Sequence, residues 1–182
     1  MAKVPLVSRE EMPEDKQHIY DSIAGTRGSV LNVFRALLNS PDAAEAAGDL
    51  GAYLRYRSPL DPAVREIAIL TVARELDVAY EWAHHEPVAR EAGVREEVIE
   101  SIRSGRAPMG LPAKEGVFAQ AAKELVRNRT LTDRTYQAVE HLIGPAQTVD
   151  LIVLVGYYSL LAGVINTLDV ELDEGTSAKL RG

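Results

Sequence analysis

The chain of 182 residues contains no cysteine. That absence excludes disulfide bonds, thiolate metal ligands and every peroxidase or redox mechanism that turns on a thiol. Aromatic residues are few, and bases are outnumbered: 20 Lys and Arg stand against 27 Asp and Glu, for a net charge of −7. With no basic stripe and no interleaved aromatics, this balance is wrong for a polyanion, so nucleic acid is not an expected partner. The N-terminus MAKVPLVSREEMPEDK has no apolar core of signal-peptide length and turns acidic at once, which makes the cytoplasm the expected location. Residues 151–165 carry no charge, but a membrane span needs roughly 18 to 20 apolar residues. A buried core helix is therefore expected there, and no membrane partner. The sequence also lacks a convincing strand, a low-complexity segment, a phosphate-binding glycine loop and a nucleophile elbow.

What is present is a hydrophobic content of 46%, rich in Ala, Leu and Val and punctuated by Gly and Pro. The composition and length suit an all-α fold in a single domain over residues 1–182, with 1–12 and 174–182 loosely ordered. Periodicity and punctuation predict helices at about 14–24, 41–56, 62–76, 78–92, 95–104, 113–127, 133–143 and 146–168, with a short apolar piece at 30–38. Ser40, Asp61, Asp77 and Thr132 are the expected N-caps, and Gly93 and Gly144-Pro145 are expected stops. The loop RAPMGLP, 106–112, is the expected flexible edge. Gly156, Ser159 and Gly163 form a strip of small residues suited to a close neighbouring backbone.

Chemistry concentrates in residues 60–93, LDPAVREIAILTVARELDVAYEWAHHEPVAREAG. Glu66 shares its helix face with Ile69, Leu70 and Ala73, so a partly buried carboxylate is expected there. Burial raises such a pKa and suits it to proton transfer unless an arginine such as Arg65, Arg74 or Arg90 keeps it ionised. Glu81 has His84 and His85 three and four residues on, so both lie on its side of the helix and a carboxylate there can set an imidazole tautomer. Tyr80, Trp82 and Tyr157 are candidate pocket walls, and Arg74 a candidate for a two-point contact with a substrate carboxylate. Two other readings compete: an ordinary core of ion pairs, and a single metal on Glu66, Glu81 and His84 or His85. A carboxylate-bridged di-metal site needs a second Glu-x-x-His, which the sequence lacks.

The stretch REIAILTVARELDVAYEWAHHEPVAREAGV resembles the carboxymuconolactone decarboxylase family, which includes the alkylhydroperoxidase D type. The flanking segments, residues 13–62 and 132–173, resemble the other helices of the longer members. In the peroxidase branch the pattern is a Glu, a CxxC, and a His four residues after the second Cys. Glu66 falls on that Glu and His85 on that His, while Val78 and Glu81 stand where the cysteines would be. The resemblance implies an alkylhydroperoxidase D-like helical bundle assembled as a homo-oligomer, trimer-based or hexameric. It also implies cofactor-free acid–base chemistry on a small unsaturated carboxylate or lactone. The implied roles are His85 as general base or acid, Glu81 orienting it or exchanging protons, Glu66 as second carboxylate and His84 as substitute or substrate contact.

Overall fold

Proline, glycine and capping side chains set the helix boundaries in the computed structural model, which describes residues 1–105, 113–177 and 180. The loop expected at 106–112 therefore lies outside the described residues. A 3-10 turn, Glu14–Lys16, leads into α1 (Gln17–Arg27), which ends where Gly28 takes a φ of 80°. α2 (Asn32–Leu37) and α3 (Pro41–Ala52) follow, the latter passing into a π turn at Tyr53–Arg57. α4 (Pro62–Glu75) starts at Asp61, whose carboxylate accepts from the N–H groups of Ala63 at 2.8 Å and Val64 at 3.3 Å. α5 (Ala79–Glu91), α6 (Glu96–Arg103), α7 (Ala113–Asn128) and α8 (Asp133–Leu168) complete an all-α architecture with no strand among the described residues.

Two expected caps take other forms. Ser40 precedes the N1 proline of α3 but makes no side-chain capping bond. Asp77 is not the cap of α5; Val78 holds that place, and Asp77 takes a φ of 55°. The reason lies in how α4 ends: Val78 N–H donates to Ala73 O at 2.8 Å, a six-to-one closure that requires a left-handed residue just before it. Aspartate is one of the few side chains that tolerate this conformation. The same closure ends α5, where Val94 N–H donates to Ala89 O at 2.9 Å and Gly93 supplies the left-handed residue.

α8 contains a break at Gly144, with φ 74° and ψ 169°, followed by Pro145. That backbone region is essentially restricted to glycine, so the two helices expected at 133–143 and 146–168 meet there as two arms of one element. Thr132 caps the first arm, its Oγ1 accepting from Thr135 N–H at 3.3 Å.

By contacts the chain falls into two compact units, where the sequence suggests one domain. The first comprises Met1–Arg57 with Gly163–Thr176. Its core is built by Ile19, Ile23, Val33, Phe34, Ala44 and Leu54, all buried. The segment expected to be loose at 1–12 is extended and tied in: Lys3 N–H donates to Leu168 O at 2.8 Å, and Val7 N–H to Arg35 O at 3.1 Å. Near its other end, Asp173 Oδ1 accepts from Asn32 N–H at 2.9 Å.

The second unit comprises Ser58–Ala162 with Ser177–Gly182. α4 is its central element, packed against α5, α6 and α7. Every residue from 67 to 73 is buried, as the all-round apolar sequence predicts. α8 differs from its expectation as a wholly buried helix. Leu151, Leu154, Val155, Tyr158 and Leu161 are buried, while Val149, Ile152, Val153 and Leu160 are exposed. A 3.6-residue period places these two sets on opposite faces, and both faces are apolar. The charge-free stretch runs on to Leu168, and α8 is long and apolar enough to cross a membrane by length and composition alone.

Candidate acid–base site

The site is assembled by the tight turn between α4 and α5, which brings His85 opposite Glu66. Glu66 is 0% exposed, beneath the buried Ile69, Leu70 and Ala73 of its own face. Its two oxygens accept from different partners: Oε1 from Arg65 Nε at 3.1 Å and Oε2 from His85 Nδ1 at 2.7 Å. Burial pushes the Glu66 carboxyl up, but the His85 imidazole and the Arg65 guanidinium more than offset it, so it lies below the usual glutamate range. Burial alone predicts the opposite direction; two local donors reverse it. An ionised carboxylate only accepts hydrogen bonds, so the proton between Glu66 and His85 resides on Nδ1.

Glu81 occupies the other edge of the ring. Its Oε2 lies 3.6 Å from His85 Nε2, beyond direct hydrogen-bond reach. The imidazole is therefore clamped on one side and slack on the other. Among the described residues only Arg103 Nε is a fully buried side-chain nitrogen or oxygen without a partner. Solvent reaches 3% of His85 and 5% of Glu81, and none of Glu66.

Tyr158 of α8 packs edge-on against the His85 ring, with centroids 5.1 Å apart, and Tyr157 stands edge-on to Tyr158 at 5.4 Å. Tyr158 is the ring against His85, where the sequence points to Tyr157 as a wall. The Tyr-Tyr pair was a signal, but which ring faces the site depends on the rotation of α8. His84 sits one position round α5 from His85 and takes Tyr80 as its ring neighbour, at 4.8 Å.

Two candidates have structural duties instead. Arg74 Nε donates to Arg103 O at 2.6 Å, which ties α4 to the end of α6. Trp82 is fully buried; its Nε1 donates to Glu86 Oε2 at 2.8 Å, and the Arg103 guanidinium lies 5.3 Å from its ring centroid. The metal reading needs Glu66, Glu81 and a histidine to converge on one point. Instead, Glu66 and Glu81 approach opposite nitrogens of His85, and no group of three or more acidic or histidine side chains among the described residues has a metal-site arrangement.

The depressed Glu66 carboxyl makes stability depend on pH. A carboxyl whose folded pKa lies below its unfolded value adds stability that is fully present above the unfolded value, here 4.5, and is lost as the pH falls through the folded value. Glu124 acts in the same direction, through hydrogen bonds from Gln120, Thr132 and Thr135 that outweigh its burial. Urea denaturation midpoints are therefore expected to hold from pH 7 to 5 and fall below pH 4.5; a midpoint as high at pH 3 as at pH 6 contradicts this linkage.

The family model for the carboxymuconolactone decarboxylase family matches residues 41–124, a span containing Glu66, Glu81 and His85. Among curated proteins none matches. Solved structures that share the fold include two peroxidase-related proteins. One is the alkylhydroperoxidase AhpD core of an uncharacterized peroxidase-related protein from Ralstonia eutropha JMP134, with a TM-score of 0.78 at 15% identity over 95% of this chain and 93% of that one. The other is an uncharacterized peroxidase-related protein from Silicibacter sp. TM1040, with a TM-score of 0.76 at 16% identity over 99% of this chain and 96% of that one. At these identities the likeness extends to the fold.

Proposed function

We propose, for a chain whose residues 41–124 match the model of the carboxymuconolactone decarboxylase family, a cofactor-free acid–base enzyme that decarboxylates or isomerises a small unsaturated carboxylate or lactone. The observation that carries this reading is the asymmetry of His85. Its Nδ1 is clamped by a buried, ionised Glu66, and its Nε2 faces Glu81 across a 3.6 Å gap. A carboxylate behind an imidazole fixes its tautomer and the direction in which the far nitrogen points. In an isomerisation, Nε2 takes a proton from a carbon beside the carbonyl and the pair returns it at another carbon of the conjugated system. In a decarboxylation, the carbon–carbon bond to the carboxylate breaks, CO₂ departs, its electron pair enters the conjugated carbonyl, and the pair delivers the proton that restores the carbon.

The peroxidase-related names of the two solved structures do not carry over as thiol chemistry, because this chain has no cysteine and Glu81 stands at the second position of the pair. A screen of small enol-lactones and β-keto acids tests the proposal through loss of turnover in His85→Ala and Glu81→Gln; turnover untouched by both substitutions rejects it.

One observation favours a second reading, a non-catalytic oligomeric scaffold: Glu66, Glu81 and His85 are almost wholly enclosed. That reading expects the same two substitutions to affect stability alone, with no substrate turned over by the native chain. Either reading includes assembly with further copies of the chain. Supporting it is the exposed apolar face of α8 formed by Val149, Ile152, Val153 and Leu160 around the open Gly156, a surface that monomers seldom leave to water. Sedimentation velocity is expected to give an oligomer that Val153→Glu with Leu160→Glu reduces to monomer; a monomeric native chain rejects assembly.

A further inference from the structure

The second unit contains a cleft of about 440 Å³ that the acid–base group does not use. Its wall is apolar: Val64 and Ile67 of α4, Phe118 of α7, and Leu142 and Ile143 at the end of the first arm of α8. The helical period puts Val64 and Ile67 roughly a quarter-turn or more from Glu66 around α4, so the cleft opens on a different face from the His85 contact. The α8 break falls between Ile143 and Gln147, both of which line the cleft. The volume is that of an ordinary small-molecule site, about 300–1,000 Å³.

Charge on the rim decides what fits. Of the two acids there, Asp61 is engaged with the N–H groups of Ala63 and Val64. Glu115 is gripped by Arg95, whose Nη2 and Nε donate to its two oxygens at 2.7 and 3.3 Å. Lys114 is exposed, and among the described residues neither its ammonium nor the Gln147 amide has a hydrogen-bond or ion-pair partner. Among the described residues, a cation and an amide donor without partners therefore overlook an apolar floor. We propose that this cleft binds an amphipathic monocarboxylate, its tail of roughly six to ten carbons lying on Val64, Ile67, Phe118 and Ile143 and its carboxylate accepting from Lys114 and Gln147. The site is separate from the acid–base group and stands whether or not that group turns over a substrate.

Isothermal titration of the full chain with sodium octanoate, and with 1-octanol as the uncharged control, tests this. Octanoate is expected to bind saturably with one site per chain, and Lys114→Ala to weaken it about two- to fivefold, as loss of an exposed ion pair does. Ile143→Trp, which fills the floor, is expected to abolish binding while circular dichroism and thermal unfolding stay native; if that variant does not fold, Val64→Met narrows the same floor and is expected to weaken binding. Absence of saturable octanoate binding up to about 10 mM overturns the proposal. So does equal affinity for 1-octanol, which assigns the cleft to neutral apolar molecules, and so does binding that neither floor substitution changes, which puts octanoate elsewhere.

Discussion

Replacing Glu66 with alanine is expected to cost about 3–5 kcal/mol, the range for breaking a buried charged pair by removing one partner. For a chain of 182 residues this lowers the midpoint of thermal unfolding by roughly 6–20 °C. Three losses add up. His85 Nδ1–H is left without its acceptor in a site of which solvent touches 3%, Arg65 Nε loses its acceptor, and a cavity opens beneath Ile69 and Leu70. Glu66→Gln separates charge from shape. Its amide oxygen can still accept one of the two hydrogen bonds, so a smaller loss is expected at pH 7. The gap between native protein and Glu66→Gln should narrow as the pH falls below 4.5, because the native carboxyl then gives up its own electrostatic contribution. Scanning calorimetry of the three proteins at pH 7 and pH 4 checks both statements. A Glu66→Ala midpoint within 2 °C or so of native means the group is not the buried pair its geometry describes.

The second large effect concerns rate. On whichever lactone or β-keto acid the native chain turns over, His85→Ala is expected to reduce kcat by about 10²- to 10⁴-fold, the usual contribution of a positioned acid or base. Glu81→Gln removes the exchangeable carboxyl proton while keeping the side-chain shape, and is expected to lower kcat with little change in KM, as for an interaction made only in the transition state. Glu66→Gln acts through His85 and not on substrate. It should lower kcat by loosening the tautomer and orientation of the ring, and leave KM nearly unchanged. Steady-state kinetics across pH 5 to 9 distinguish the three. A drop in stability in all three variants with kcat preserved would move the group from catalyst to structural core.

Most of this architecture was legible because its signals are local. Caps at Asp61 and Thr132, stops at Gly93 and Gly144, and the 3.6-residue period act within one or two helical turns, so the chain states them directly. Glu66, Glu81 and His85 were legible for the same reason: a helix, a tight turn and a helix within residues 60–93 leave few ways for their faces to meet. Asp77 was misread because an aspartate before a helix suits either an N-cap or a left-handed closure, and only the Val78 to Ala73 hydrogen bond shows which one formed.

What the sequence by itself determined is the class of fold and the side chains available to the site: no thiol, a carboxylate–imidazole group within residues 60–93, and helices throughout. Tertiary structure alone decided the rest. It turned Tyr158 and not Tyr157 toward His85, sent Arg74 to a backbone carbonyl, left one apolar face of α8 in water, and opened a cleft beside the Gly144 break. The physical reason is range. Helix propensity and capping depend on neighbours a turn away. The direction of a ring, the direction of a pKa and the existence of a cavity depend on side chains that packing brings together from distant parts of the chain.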